Sequence, residues 1–522
     1  MAELVGDWLK GGLGIHLLTI MKALFLIVFL WAVLALSGTA YPGKKLKVNY
    51  VLLGWIFCGA LFAVLAYQAT WQLGGMTRPA FVKFMRTYNR RENAAQQQTL
   101  RGALLDRRGL VLAAPQPGSI WGRRYPLGAA AAHPLGYYDF RYGITAVERV
   151  CDGTLSGMTQ TPEDLAKSIL VKRPEQGESV NLTLDSRLQK KAYELLKNRS
   201  GAVVVINPRN GELLALVSAP GFDPQHPESA IRDSIRKPAF NRAVQGRYPP
   251  GSTFKIVTAG AALNNNSSPT FNCPGGGFVA GKGKKPIRDS EYYSDLRKGR
   301  QWKGWGSIDM KEAMIHSSNV YFSQLGAGCT ANQMAAVMRD AQIDQELPYL
   351  ADSSGALASM QGRIPDLESG WNRAQAAIGQ GNLLVTPLHV ACYTAAVANK
   401  GVLYAPQLNL DAQAKKLSQP FTAATAYTLK VMLREVVKKG TGRKAELAGL
   451  DLCGKTGTAE VNGGKDHSWF TCFAPFHDPV LVVTVLVENG GYGAEAALPV
   501  ARELLSEANK LGYFKRTAGG RK

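Results

Sequence analysis

The placement of the β-branched runs most constrains what this chain can fold into. Gly201–Ile206 is one such run. Pro208-Arg209-Asn210-Gly211 follows, and its Asn-Gly step supplies the positive φ that a hairpin turn needs. Residues 212–217 then read as the return strand. Strands come back near the C-terminal end, at 452–460, 469–473 and 481–488. The middle, about 252–440, holds helical stretches separated by loops, with 425–439 one of the clearer ones. Residues 186–197 read as a helix with Leu188, Tyr193, Leu195 and Leu196 as apolar contacts, and 495–511 as a closing helix. Strands at both ends and helices between predict an α+β domain. It is built on one antiparallel sheet of about five strands with helices on its faces. No internal repeat is present.

The N-terminal region sets the expected compartment. Residues 49–77 carry no charged side chain, and the apolar part, 50–69, is long enough to cross a bilayer as a helix of about 20 residues. An earlier apolar stretch, 15–36, contains His16 and Lys22 and is a weaker span. It starts late, lacks a basic leader and is followed by a second span, so a signal peptide fits poorly. Lys44, Lys45 and Lys47 between the spans place that loop in the cytoplasm and both termini outside. Glu3, Asp7 and Lys10 do not oppose this. Arg78, Lys83, Arg86, Arg90 and Arg91 do, although large domains translocate largely regardless of charge. The expected layout is a tail (1–14), two transmembrane helices (15–37 and 50–70) and a stalk (71–100). A small irregular module (101–185), a main domain (186–513) and a basic tail (514–522) follow.

Of the 522 residues, 46% are hydrophobic and 19% charged, which excludes global disorder. The net charge of +22 suits an anionic partner, namely nucleic acid, a membrane surface or an acidic polymer. The membrane anchor disfavours nucleic acid. The seven cysteines show no metal-ligand spacing, so no metal and no cofactor are expected. Cys453 and Cys472 fall on strands that can be neighbours, and read as two small buried thiols.

Three short motifs carry chemistry. Pro249-Pro250-Gly251 cannot be helix interior, but the chain from Ser252 can be, so Ser252 sits at a helix N-terminus with Lys255 a turn away on the same face. A serine hydroxyl needs a base, and a lysine serves when burial or nearby positive charge lowers its pKa. About two Ser-x-x-Lys strings are expected by chance in such a chain. Ser234-Ile235-Arg236-Lys237 is one, and Pro238 after it disfavours helix there. Ser317 and Asn319 form Ser-x-Asn, which by itself reads as a loop or helix cap. Lys455-Thr456-Gly457-Thr458 lies on a predicted strand, where a glycine often marks close approach of another backbone or a ligand.

In this order the three motifs resemble the signature of the penicillin-recognising serine enzymes. The resemblance extends over roughly 101–511. Arg101-Gly102, Asp106-Arg107-Arg108-Gly109, Leu112-Ala113, and Tyr142-Gly143 with Glu148 resemble the pedestal of class B penicillin-binding proteins. Asn241-Arg242-Ala243 and Tyr248 to Gly251 resemble the approach to their serine. Ile378-Gly379-Gln380-Gly381, Thr386-Pro387 and Trp469-Phe470 are further matches. The resemblance implies that Ser252 is the acylated nucleophile and Lys255 the base. Ser317 would relay protons, Asn319 hold a substrate amide, and Lys455 set the field. Thr456, Gly457 and Thr458 would bind the donor, the two threonines holding its carboxylate, with the N–H groups of Ser252 and Thr458 as oxyanion hole. The substrates implied are peptidoglycan stem peptides ending in D-Ala-D-Ala, with β-lactams as covalent ligands and a lipid bilayer as support. The compartment implied is the outer face of the bacterial cytoplasmic membrane.

The stretch between Trp71 and Arg101 is too short for a polymerase domain, so a separate membrane glycosyltransferase partner is expected. Two spans and a short pedestal depart from the class B pattern. The rival enzymatic readings are a D,D-carboxypeptidase and a β-lactamase. A class A β-lactamase needs a deacylating glutamate, for which Glu368 with Asn372 is the candidate pair. A non-catalytic β-lactam sensor or scaffold would not need all of Ser252, Lys255, Ser317, Asn319, Lys455 and Thr458.

Overall fold

A computed structural model describes residue 54 and residues 56–67, 100–116, 122–157, 177–196, 198–352, 355–461 and 464–515. The chain divides into two compact units, Met1–Asn93 and Ala94–Lys522. In the first, residues 56–67 are helical and expose Ile56, Phe57, Leu61, Phe62, Val64 and Leu65. No helix among the described residues is long and apolar enough to cross a membrane. The expected first span, the intervening lysines and most of the stalk lie outside the described residues.

The second unit begins with a four-stranded sheet. Its strands are β1 (Leu104–Leu105), β2 (Val111–Pro115), β3 (Arg123–Arg124) and β4 (Val180–Asn181), in the order β3-β2-β1-β4. Asp106 closes the β1–β2 turn by accepting from the backbone of Arg108 and Leu110. Its other oxygen accepts from the Ser186 hydroxyl at 2.7 Å, tying this module to the start of the next. Beneath the sheet, Glu148 on α1 (Ala146–Val150) is fully buried between two arginines. Arg101 donates to it at 2.8 Å and Arg123 at 2.7 Å, and Arg101 also pairs with Asp152. Burial opposes ionisation of Glu148, but Arg123 and Arg101 outweigh it and hold the carboxyl below its ordinary range. Removing one partner of a buried ion cluster strands the others. Glu148→Ala is expected to cost about 3–5 kcal/mol in chemical denaturation.

The larger sheet has the order β9-β10-β11-β5-β6, all antiparallel. Its strands are β5 (Gly201–Ile206), β6 (Leu213–Ala219), β9 (Cys453–Ala459), β10 (His467–Ala474) and β11 (Leu481–Val487). Every residue of β5, β6 and β11 is buried, which explains their unbroken apolar, β-branched sequences: both faces are covered. Val203 and Val205 face one core with α2 (Ser186–Leu196) and the closing helix Ala497–Lys510. Ala202, Val204 and Ile206 face the other, with the helical middle of the chain. At its centre runs Pro387–Ala398, buried along its whole length. Thr386 caps that helix and Pro387 opens it, which accounts for the Thr-Pro pair. Cys453 and Cys472 lie on neighbouring strands, free and buried, and face opposite cores.

Candidate active site

Ser252 stands on a short 3-10 turn, Gly251–Phe254, that leads into α3 (Lys255–Asn264). The double proline prevents the helix from starting earlier. Gly251 has φ +54°, and a side chain on it would meet the Thr458 carbonyl of β9 at 2.4 Å. Gly379 packs from below: it too has positive φ, and its carbonyl accepts from Gly251 N at 3.0 Å. Trp469 donates its indole N–H to the Pro249 carbonyl at 3.1 Å. Tyr248 donates to Glu488 at 2.7 Å, and Arg242 pairs with the same carboxylate at 3.1 Å. These contacts fix the turn that carries Ser252, which is half-buried while its neighbours Gly251, Thr253 and Phe254 are buried.

Lys255 is completely buried. Its Nζ donates to the Ser317 carbonyl at 2.5 Å and to Asn319 Oδ1 at 2.8 Å, and lies 3.4 Å from Ser317 Oγ. Lys455, also completely buried, donates from the far side to Ser317 Oγ at 2.7 Å. Ser317 therefore bridges two lysines. It ends α4 (Met310–His316) in the left-handed region at φ 59°, ψ 37°, which turns its carbonyl and hydroxyl toward them. Ser318 then caps α5 (Asn319–Gly328) by accepting from Tyr321 N at 3.1 Å. Ser318 of this tripeptide is the helix cap, and Ser317 is the serine between the two lysines.

Burial pushes the Lys255 amine down to about 7, against the opposing pull of Asp289 and Glu291. Lys455 is lowered further, by burial first and by Lys255 second. Two ammonium groups cannot share one dry pocket without ion partners in contact. Lys255 is thus a free amine for much of the time near neutral pH, which is the form that can take a proton.

β9 is a terminal strand of the sheet, and no further strand pairs with its outer edge among the described residues. Thr456 Oγ1 shares a 2.7 Å hydrogen bond with Thr441 Oγ1. Thr458 Oγ1 accepts from Gly493 N at 3.3 Å. A side chain on Gly457 would meet Thr253 at 2.8 Å and the Pro250 carbonyl at 3.2 Å, so only glycine lets the strand approach the serine turn.

The eight residues singled out in sequence thus come from the Gly251–Phe254 turn, the start of α3, the α4–α5 junction and β9. Hydrogen bonds join Lys255, Ser317, Asn319 and Lys455, and the close approach of Gly251 to the Thr458 carbonyl brings the serine turn against β9. The sequence reading missed Asp289 and Thr441. Thr441 had one signal, its place between two glycines directly after the long helix Ala423–Lys439. Glu368 is exposed and precedes the helix Gly370–Ala377, and Asn372 donates to Asp366 instead of to it. The i,i+4 pairing on which that candidate rested is therefore not formed. The chance string at Ser234 is not helical, and Lys237 has φ +49°.

Comparison with known proteins agrees with this geometry. Residues 201–506 match the family described as penicillin binding protein transpeptidase domain. The peptidoglycan D,D-transpeptidase PbpA of Mycolicibacterium smegmatis is 30% identical over 431 residues, covering 75% of this chain and 84% of that protein. The peptidoglycan D,D-transpeptidase MrdA of Acinetobacter baumannii is 34% identical over 450 residues, covering 72% of this chain and 64% of that protein. Among solved structures, penicillin-binding protein A from M. tuberculosis as a ceftriaxone acyl-enzyme complex superposes with TM-score 0.70 at 26% identity, covering 79% of this chain and 99% of that one. The D,D-transpeptidase domain of a peptidoglycan glycosyltransferase from Eggerthella lenta gives TM-score 0.67 at 28% identity, covering 80% and 99%. The fold and these matches carry one conclusion: the chain belongs to the penicillin-binding protein transpeptidases, as a class B peptidoglycan D,D-transpeptidase.

Proposed function

We propose that Ser252 is the acylated nucleophile of a reaction that joins two peptidoglycan stem peptides. The observation that carries this is the buried Lys455–Ser317–Lys255 chain, with bonds of 2.7 Å and 3.4 Å, ending one helical turn from Ser252. Lys255 accepts the Ser252 proton as Oγ attacks the carbonyl of the penultimate D-Ala. The N–H groups of Ser252 and Thr458 receive the oxyanion, and such donors are typically worth about 3–4 kcal/mol each. The C–N bond then breaks, and Ser317 gives its proton to the departing D-Ala amine while taking up the one held by Lys255. Thr456 and Thr458 hold the donor's terminal carboxylate, and Asn319 a backbone amide of the donor. The acyl-enzyme is resolved by an amine from a neighbouring stem peptide, and Ser252 recovers its proton. A β-lactam acylates the same oxygen, but its leaving nitrogen stays tethered, so the ester persists.

The protein acts at the outer face of the bacterial cytoplasmic membrane. Two apolar spans (15–37 and 50–70) anchor it, and a stalk and the pedestal at 101–185 precede the catalytic domain in the chain. The uncharged 49–77 stretch and the exposed apolar side chains of residues 56–67 support the anchor. A separate membrane glycosyltransferase supplies the nascent glycan. The test is reconstitution in proteoliposomes with such a polymerase and lipid-linked disaccharide pentapeptide. Cross-linked muropeptide dimers are expected. Release of D-Ala without dimers would make the protein a carboxypeptidase.

A further inference from the structure

The Ser317–Asn319 turn is braced by a segment that no motif marks. Asp289 is 2% exposed, and its Oδ1 accepts from Asn319 N at 2.5 Å and Val320 N at 3.0 Å. The Ser318 hydroxyl donates to the same carboxylate at 3.0 Å. The Arg288 carbonyl accepts from Asn319 Nδ2 at 3.0 Å. That last bond decides which end of the Asn319 amide faces inward. With Nδ2 committed to Arg288, Oδ1 must be the atom that meets Lys255 at 2.8 Å. One residue of this segment thus orients a site side chain, and the next holds the backbone that bears it.

Lys255 is faced from several elements. Lys455 approaches from β9, Ser317 and Asn319 from the turn, and the Phe322 ring of α5 lies 5.6 Å from Nζ. The negative charges that act on it are Asp289 and, half-buried at the start of the helix Ser290–Arg297, Glu291. A carboxylate at the N-terminus of α5 is also favoured by the helix dipole.

We propose that Arg288–Glu291 is a positioning element of the acylation machinery: it clamps the Ser317–Asn319 turn around Lys255 and places fixed negative charge behind that turn. This rests on Lys255 being the base. Without the charge, protonated Lys255 loses a favourable partner, so the free amine is populated at lower pH.

The experiment is the pH dependence of acylation by a fluorescent penicillin, measured on the full-length protein in detergent, for wild type, Asp289→Asn, Asp289→Glu and Glu291→Gln. Asp289→Asn keeps an oxygen acceptor and removes the charge. Its acid limb is expected to move down by about one pH unit. Asp289→Glu keeps the charge and disturbs the clamp, so its limb stays and its rate falls. If Asp289→Asn does not fold, Glu291→Gln reads the same field, with a smaller shift in the same direction. A limb in Asp289→Asn that coincides with wild type, whether or not the rate falls, overturns the proposal and leaves the segment a purely structural brace. A wild-type profile with no acid limb would instead sink the assignment of Lys255, and the two failures are distinguishable.

Discussion

With Ser252 replaced by alanine, the protein is expected to take up no penicillin and to form no cross-links, while melting within a degree or two of wild type. The turn Gly251–Phe254 is held by its backbone and by its neighbours. Gly251 N bonds to Gly379, Thr253 Oγ1 donates to the Pro250 carbonyl at 2.8 Å, and Trp469 donates to Pro249. None of these contacts uses the Ser252 hydroxyl, so its loss removes the nucleophile and leaves the fold. A variant lacking the attacking atom has no alternative path to an ester. Fluorescent-penicillin labelling beside a thermal melt checks both halves of the expectation. Labelling at the wild-type rate would mean that another side chain is acylated.

The second large effect falls on Lys255. Lys255→Met is expected to slow acylation by about 10²- to 10⁴-fold, the usual contribution of a positioned general base. It should also abolish the acid limb that wild type shows near pH 7. The sign follows from the amine: burial lowers Lys255 to about 7, so below that pH it is ammonium and cannot accept the serine proton. Acylation therefore falls as pH falls in wild type. In the variant it is slow and flat over the same range. Stability changes less: methionine fills the same apolar volume without an ion to desolvate, but leaves the Ser317 carbonyl and Asn319 Oδ1 without the Lys255 donor, a cost of about 1–3 kcal/mol. A variant that loses this much rate and still melts cooperatively separates chemistry from folding. Stopped-flow acylation across pH 5 to 9 is the measurement.

Much of this was legible in the sequence. The strand at Gly201–Ile206 and the late strands follow from β-branched runs that are unbroken because the sheet is buried on both faces. The helix ends at 186 and 439 match the pattern for the same kind of reason: periodicity, caps and a following glycine. Return strand β6 begins at Leu213 and runs to Ala219, past the expected end, because Ser218 keeps pairing with Ala202 and its hydroxyl bonds to Phe240 O. The three motifs named residues that the fold brings together. What they did not reveal is how those groups are held. Asp289 meets Asn319 30 positions further along the chain, across a stretch that includes β8 (Gly304–Ile308), which pairs back to β7 (Phe271–Pro274). No local period encodes such a contact. Glu368, weighed only as the rival candidate, shows the converse: the i,i+4 rule applies only inside a helix, and this helix starts after it.

Trypsin offers the most direct test of the central claim, since it cleaves after Arg247 and Lys255. The peptide Tyr248–Lys255 contains a single serine. The protein would be incubated with benzylpenicillin, digested and sequenced by tandem mass spectrometry. The account requires one penicilloyl group on that peptide, localised to Ser252. A penicilloyl group on any other peptide, or hydrolysed antibiotic with no modified peptide at all, would contradict it.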